Sequence, residues 1–462
     1  MGKKTVRRVI FVGTVLLLTV FFVATHFDKK EYTRDHLEEY VRQMCRVYRV
    51  PGLSAAIIDG ENEYYINYGE GIDENIKFEL GSTTKAFTAL GILRLEQEGK
   101  LSITDKVSDY IPWFRPTYKG TAYDITIEEF LCHTSGVPVW TISTIPEGED
   151  YEEGVLVKTV ENIKDVKLSS MPGTHHEYAT INYDVLALII ENVTGEKYEE
   201  YISSEILDPL GMKESFFRTN DACAKNEVQG HKIGFFLPLS NNAPTYYGNT
   251  AAGYLVSSSS DLMKWMKNWT TESQDALGLA NDVLSHDVSQ TDHYFAGWNI
   301  YDGHVSHGGN NPNFSSQVII SRERNQGVFV LSNLAGSSAT RIADGIYRLL
   351  LGETLRIGFQ MDFYEFFDFM SILCVITLIY LNSLLREVKS RSGCMARIVA
   401  GVVFIVLALI VPVVLHYPYQ MMYVWFPVTF CVAMLTGFVT AVLLILRGCF
   451  GYKEGVQHEK MV

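Results

Sequence analysis

Four consecutive residues have the spacing of a nucleophile and its base. Ser82-Thr83-Thr84-Lys85 places a hydroxyl and an amine three positions apart, on one face of a predicted helix. Burial favours the neutral form of a lysine, and a neutral amine can take the proton of the serine hydroxyl. The chain has no other Ser-x-x-Lys and no Gly-x-Ser-x-Gly. The spacing therefore indicates Ser82 as nucleophile and Lys85 as base.

A second segment offers a proton relay. Tyr178 is followed by Ala179 and Thr180, and a phenol can pass a proton between a serine, a lysine and a leaving group. The chain contains 26 tyrosines, so without further evidence the simpler interpretation of Tyr178 is a packed aromatic ring.

A third segment offers backbone donors. His307 is followed by Gly308, Gly309 and Asn310. Paired glycines let a strand approach a substrate closely, and their N–H groups can stabilise an oxyanion. A turn without function is the competing interpretation.

The elements that must position these groups read as a mixed α/β domain over residues 31–355. Short apolar runs ended by turn residues predict a β-hairpin over 53–68 and a strand pair over 316–331. Apolar residues at helical spacing predict helices over 82–98 and 183–193, each followed by a capping glycine. We expect an antiparallel sheet closed by both ends of the domain and flanked by helices.

Composition excludes several function classes. The net charge of −14 argues against a nucleic-acid partner, which needs a basic surface. Three of the seven cysteines, Cys45, Cys132 and Cys223, lie in the central region, too few for a disulfide framework. No Cys-x-x-Cys pair and no His-Glu-x-x-His occurs, so the sequence predicts no metal site.

Both ends of the chain predict membrane segments. Residues 1–27 have a basic start and an uncharged run, typical of a signal anchor, and the poor cleavage site favours an uncleaved one. Near the other end come three apolar runs of bilayer-spanning length. They cover residues 369–385, 398–415 and 424–446 within a membrane region of 364–447, followed by a tail of 448–462.

Basic residues flank these segments unevenly. Arg386, Lys389, Arg391 and Arg397 lie between the first and second runs, whereas the loop before the third run carries neither Lys nor Arg. The positive-inside rule then places the central domain outside the cytoplasm.

Taken in order, these motifs resemble the serine β-lactamase-like family, which includes class C β-lactamases, penicillin-binding proteins and related esterases and peptidases. The match extends over residues 33–350. It includes the stretches FELGSTTKAFTALGILRLEQEGKLSITDKVSDYIP, ITIEEFLCHTSGVP, MPGTHHEYATINYDVLALIIENVTG, DPLGMKESFF, AAGYLVSSSSDLMKWM and HGGNNPNFSSQVII.

The resemblance implies roles for individual residues. Ser82 would be acylated, Lys85 would be its base and Tyr178 would relay protons, without any cofactor. The backbone N–H groups of Ser82 and Asn310 would hold the oxyanion.

The implied substrate-binding residues are Thr180, His307, Gly308 and Gly309, and two of them depart from the family's pattern. Thr180 stands where an asparagine is usual, which weakens the expected contact to substrate and to Lys85. His307 stands where many members have a lysine, and a histidine holds a substrate carboxylate less firmly. Both favour a peptidase or esterase over a β-lactamase.

The arrangement of one domain and three membrane helices is similar to the prodrug-activating D-asparaginyl peptidases. We therefore expect a multi-pass protein of the bacterial cell membrane, with an extracytoplasmic serine hydrolase that acts on an amide or ester of a small peptide or peptide-like substrate. A non-catalytic penicillin-binding-like sensor and a structural envelope protein are the alternatives.

Overall fold

The computed structural model describes residues 3–25, 30–146, 151–218, 226–358, 361–384 and 390–461. The chain forms two compact units, one of residues 29–232 and 240–357, the other of residues 1–28, 233–239 and 358–462. We call the first the sheet unit. We call the second the membrane unit, because it contains the apolar helices described below.

Strands predominate at the two ends of the sheet unit, helices in its middle and in the membrane unit. The strands are β1 (Glu31–Tyr32), β2 (Leu53–Asp59), β3 (Asn62–Tyr68), β4 (Lys77–Glu79), β5 (Thr117–Tyr118), β6 (Thr121–Ala122), β7 (Phe216–Phe217), β8 (His231–Gly234), β9 (Leu237–Ser240), β10 (Leu255–Ser258), β11 (Tyr294–Phe295), β12 (Trp298–Tyr301), β13 (His304–Asn310), β14 (Ser315–Ser321), β15 (Gln326–Ser332) and β16 (Leu355–Arg356). The helices are α1 (Lys3–Thr25), α2 (Leu37–Tyr48), α3 (Thr84–Gln97), α4 (Val107–Tyr110), α5 (Ile127–Leu131), α6 (Val155–Glu161), α7 (Asn182–Thr194), α8 (Tyr198–Ile202), α9 (Thr250–Gly253), α10 (Ser259–Thr270), α11 (Ala280–Leu284), α12 (Ser338–Leu350), α13 (Phe363–Leu384), α14 (Arg391–Leu415), α15 (Tyr419–Trp425) and α16 (Val428–Met461).

Seven strands form the main sheet of the sheet unit, in the order β11-β12-β13-β14-β15-β2-β3, and every pairing is antiparallel. The early strand β2 pairs with the late strand β15 along its length, with Leu53 opposite Ser332 and Asp59 opposite Gln326. The predicted hairpin, the predicted strand pair and the closure of the sheet by both ends of the domain are confirmed.

Helices cover both faces of this sheet. Successive residues of a strand point to opposite faces, and β15 shows this directly. Val330 joins a buried cluster with residues of α2 and α12. Its neighbour Phe329 instead contacts Trp265 of α10 at a ring distance of 5.8 Å. Trp265 also stacks on Phe87 of α3 at 4.8 Å, so the core on this face fixes the helix that follows Ser82.

Both predicted helices of the sheet unit are present, with one difference. Helix α7 is followed by Gly195 in a left-handed conformation (φ 76°), as expected. Helix α3 begins at Thr84, because the chain first makes a 3₁₀ turn over Gly81–Thr83. Ser82 therefore lies on that turn and not in the regular helix.

The membrane unit contains three stretches long and apolar enough to cross a membrane: Phe363–Ser383, Ser392–Leu415 and Val428–Phe450. They confirm the three predicted runs, but the third begins at Val428 and not at 424, because Val424 and Trp425 end the separate helix α15 and Phe426 after them is extended. The first begins six residues before the predicted start at 369, because the acidic residues Glu365 and Asp368 are helical and buried. Helix α1 is formed, and Phe11 stacks on Tyr380 at 4.4 Å; its role as a membrane anchor stays a prediction.

Several sequence predictions concern residues outside the described ranges. Cys223 is one, whereas Cys45 and Cys132 are buried free thiols. Arg386 and Lys389, which carried part of the orientation argument, also lie outside the described residues.

Candidate active site

Ser82 lies on the 3₁₀ turn that leads into α3. Gly81 before it has a φ of +59°, a conformation that favours glycine. The hydroxyl of Thr83 donates to the carbonyl of Leu80 at 3.0 Å and fixes the turn. Between residues 80 and 86, Ser82 is the residue that is partly exposed. The turn therefore presents one hydroxyl to solvent from a buried frame.

Lys85 is fully buried one turn later. Its Nζ donates to Ser82 Oγ at 3.1 Å, to Thr180 Oγ1 at 3.1 Å and to the carbonyl of Ala252 at 2.7 Å. Burial lowers the pKa of Lys85 to about 7, and the negative charge of Asp184 opposes the shift. Near neutral pH a large fraction of this amine is uncharged and able to accept a proton.

Tyr178 lies over the same amine. The Nζ of Lys85 is 5.1 Å from the centre of its ring. Burial raises the pKa of Tyr178, and the neighbouring hydroxyl of Ser82 opposes this. The phenol therefore keeps its proton near neutral pH. Its ring packs on that of His133 at 4.2 Å, and His133 is held through Nδ1 by the amide of Asn182 at 3.0 Å.

The paired glycines of the third motif form part of strand β13 and not a turn, so that competing interpretation is wrong. A methyl group on Gly309 would lie 2.0 Å from the carbonyl oxygen of Leu80, and one on Gly81 would lie 2.6 Å from the backbone nitrogen of Asn310. The strand thus runs directly against the turn that carries Ser82. This closeness requires glycine on both sides and places the backbone nitrogen of Asn310 beside Gly81, the residue before the nucleophile.

His307 does not have the properties of a cationic ligand for a substrate carboxylate. Its Nε2 is 3.1 Å from the hydroxyl of Tyr294. Burial lowers the pKa of His307 to about 3, and the charge of Lys85 adds to the shift. The imidazole is therefore neutral at physiological pH and is already hydrogen-bonded within the protein.

Helix α9 is a one-turn element that shapes the lysine pocket through its carbonyl groups. Besides the bond from Lys85 to Ala252, three buried hydrogen bonds hold it. Two run to its carbonyl groups, from Thr88 Oγ1 to Ala251 (2.6 Å) and from Asn311 Nδ2 to Gly253 (2.9 Å), and the third runs from Asn249 Nδ2, just before the helix, to Asp184 Oδ2 (2.6 Å).

The structure brings Ser82, Lys85, Tyr178 and Thr180 together beside strand β13. Gly308 of that strand instead faces Gln317 and Thr340. Thr180 keeps a contact to Lys85, because its hydroxyl accepts a hydrogen bond from the lysine Nζ at 3.1 Å. Sequence reasoning missed Asp184, Ala252 and Tyr294. No local pattern marks them, since each is recognised by a partner distant in the chain.

Comparison with known proteins gives a consistent result. The family model described as Beta-lactamase matches residues 37–353. Protein flp of Staphylococcus aureus (strain MW2) is 31% identical over 311 residues, which are 64% of this chain and 62% of that protein. The chain thus spans less than two thirds of the length of this relative.

Solved structures share the fold. The octameric penicillin-binding protein homologue from Pyrococcus abyssi is 28% identical, with a TM-score of 0.58 over 69% of this chain and 76% of that one. A class C β-lactamase in complex with cefoxitin is 20% identical, with a TM-score of 0.55 over 69% of this chain and 97% of that one. The predicted mixed α/β fold is confirmed.

Proposed function

This chain belongs to the β-lactamase family, and we propose that it is a membrane-bound serine hydrolase that cleaves an amide or ester through an acyl-enzyme on Ser82. The observation that carries the proposal is the state of Lys85. It is a fully buried amine, hydrogen-bonded to Ser82 Oγ at 3.1 Å, with a pKa lowered to about 7 by burial.

Acylation follows from this geometry. Neutral Lys85 takes the proton of Ser82 as Oγ forms a bond to the substrate carbonyl carbon. The negative charge moves to the carbonyl oxygen, where the N–H groups of Ser82 and Asn310 stabilise it. The carbonyl re-forms, the bond to the leaving group breaks, and the leaving atom takes a proton from the Lys85 ammonium through the phenol of Tyr178. Water then takes the place of the leaving group. It gives a proton to neutral Lys85 through Tyr178 as it attacks the acyl carbon, and Ser82 Oγ then leaves with the proton of the Lys85 ammonium, which releases the acid.

The test is covalent labelling of the full chain in membranes. We expect a fluorophosphonate probe to label the wild type and not Ser82→Ala. Ser285→Ala, at an exposed serine, is the matched control and should label normally. A fluorescent penicillin, used in parallel, distinguishes a cell-wall peptide substrate from other amides and esters. Failure of both probes on the wild type would sink the proposal and favour a binding or structural role.

We further propose that the substrate lacks a free carboxylate beside the scissile bond. A carboxylate needs a cation or several donors in a buried site. His307 occupies the position where many relatives have a lysine, yet its low pKa leaves it neutral, and Tyr294 engages its Nε2. Capped peptides, such as peptide prodrugs, or internal bonds of cell-wall peptides have the required chemistry.

Matched substrates test this point. The same N-acylated dipeptide is offered with a free C-terminal carboxylate and with a C-terminal methylamide. We expect the capped form to be cleaved with the higher kcat/KM. Equal rates, or a preference for the carboxylate, would contradict the neutral interpretation of His307.

The membrane helices and the basic flanks support a location in the cell membrane with the sheet unit outside the cytoplasm. Protease protection of the sheet unit in inverted membrane vesicles tests the orientation. Cleavage of the sheet unit in such vesicles would contradict it.

A further inference from the structure

Seven residues from the middle of the chain belong to the membrane unit. Residues 233–239 (Ile-Gly-Phe-Phe-Leu-Pro-Leu) carry no charged side chain and cluster with the apolar helices. They form the end of the hairpin made by β8 and β9, with Phe235 and Phe236 as its two turn residues. We call them the tip.

The turn of the tip has backbone groups that need an external partner. Phe235 and Phe236 have φ values of 54° and 60°, left-handed conformations that cost energy in residues other than glycine. Their N–H groups donate to the two carboxylate oxygens of Asp368 at 2.9 and 2.7 Å. The hydroxyl of Thr429 donates to the same carboxylate at 2.5 Å. One buried acid thus satisfies both turn N–H groups.

The position of Asp368 sets the depth of the tip. It lies five residues inside the span that begins at Phe363, roughly 7 Å along the helix axis. Thr429 is the second residue of the span that begins at Val428. A methyl group on Gly234 would lie 3.2 Å from Val428 Cβ. The tip therefore packs within the apolar length of the helices, where unpaired backbone groups are costly.

The other side of the tip is apolar and exposed. Phe235 is 48% exposed and Leu237 is 56% exposed, whereas Phe236 is 7% exposed and packs towards Phe369. Near the start of helix α13, Phe366 and Met370 are also about half exposed. Exposed apolar side chains at this depth of a membrane helix face acyl chains.

We propose that the tip is a lipid-contacting finger. Asp368 holds its backbone among the membrane helices, and Phe235 and Leu237 insert between the acyl chains of the bilayer. The physical reason for the buried carboxylate is then plain. A tight turn can enter the membrane only if its free N–H groups are satisfied by protein. This proposal does not depend on hydrolase activity.

Photo-crosslinking of the full chain tests it. The protein is made with p-benzoylphenylalanine at 235, 236 or 237 and reconstituted in palmitoyl-oleoyl phosphatidylcholine vesicles. After irradiation, adducts are identified by mass spectrometry. We expect lipid adducts from Phe235 and Leu237. The matched control is Phe236, whose probe should react with helix α13. Absence of lipid adducts at both 235 and 237 would overturn the proposal.

Variants of the acid test the anchor. Asp368→Leu removes the acceptor, and we expect the lipid adduct at Phe235 to fall several-fold. Asp368→Asn keeps one acceptor oxygen and should give an intermediate yield, which guards against a variant that fails to fold. Glu365→Gln, on the same helix, should leave the yield unchanged. An Asp368→Leu yield equal to the wild type would refute the anchoring role.

Discussion

Lys85 in the sheet unit and Asp368 in the membrane unit are both fully buried ionisable groups, and their surroundings differ. Lys85 donates to two hydroxyls and one carbonyl, all neutral. Asp368 accepts from two backbone N–H groups and a hydroxyl, all of them donors.

The difference separates a group that does chemistry from a group that holds structure. Three neutral acceptors do not fully compensate the desolvated ammonium of Lys85, so its proton is easily lost and regained. The three donors around Asp368 all find an acceptor on its side chain, and these bonds tie two segments of the chain together. Burial alone therefore does not identify a catalytic residue. The hydrogen-bond partners of the buried group do, according to whether they compensate its charge.

The largest effect should come from removing the amine. Lys85→Met keeps the volume of the side chain and deletes the base. We expect fluorophosphonate labelling of Ser82 to slow by about 10²–10⁴-fold, the usual contribution of a general base. Lys264→Met, at an exposed lysine that is paired with the buried Asp261, is the control and should label at the wild-type rate. A Lys85→Met variant that labels normally would show that Lys85 is not the base, and the contrast with Asp368 would then no longer hold.

Removing the acid should instead affect stability. Asp368→Ala leaves buried donors without an acceptor, at about 1–3 kcal/mol for each. We expect a lower thermal unfolding temperature in detergent. The pH at which labelling of Ser82 is half-maximal should not move. A shift of that pH would show that Asp368 is coupled to the chemistry after all.

The pH dependence of labelling sharpens the comparison further. Burial lowers the pKa of Lys85 to about 7, and only the neutral amine accepts the proton of Ser82. The labelling rate should therefore rise with pH through about 7 and level off above it.

Asp184→Asn then removes a buried carboxyl group whose own pKa is raised by burial and whose negative form favours the ammonium of Lys85. We expect the rise to move to lower pH, and its plateau to fall because the amine is a weaker base. Asp261→Asn, at a buried aspartate paired with Lys264, should leave the profile unchanged. An Asp184→Asn profile that coincides with the wild type would show that Asp184 does not influence the pKa of Lys85.

The smallest effect on labelling should come from removing Thr180 Oγ1, one of the three neutral acceptors of the Lys85 amine. Thr180→Val keeps the shape and deletes the hydroxyl that accepts from Lys85. A hydrogen bond of this kind contributes about 1 kcal/mol, so labelling should slow by about fivefold. Thr180→Asn supplies a replacement acceptor and should stay near the wild-type rate. An equal loss in both variants would indicate a packing defect.

The sequence predicts well where the signal is local. Ser82 and Lys85 are three residues apart on one turn, and the hairpin over 53–68 alternates between apolar runs and turn residues. These features need no knowledge of distant contacts.

It predicts poorly where the partner is distant. Ala252 contributes only a carbonyl, which every residue has, and Asp184 looks like an ordinary polar residue in the first turn of a helix. The tip over 233–239 is seven apolar residues, too few to distinguish a membrane-inserted turn from a core strand. Each becomes recognisable only when the fold supplies its neighbour.

The pairing of β2 with β15 also sets the order of events during synthesis. Strand β2 ends at Asp59, and its partner begins only at Gln326, so the main sheet stays open until nearly the whole sheet unit has left the ribosome. The first membrane span begins soon afterwards, at Phe363. Residues 333–362 lie between the two elements, so the strand that completes the sheet becomes available only shortly before the first apolar helix is made.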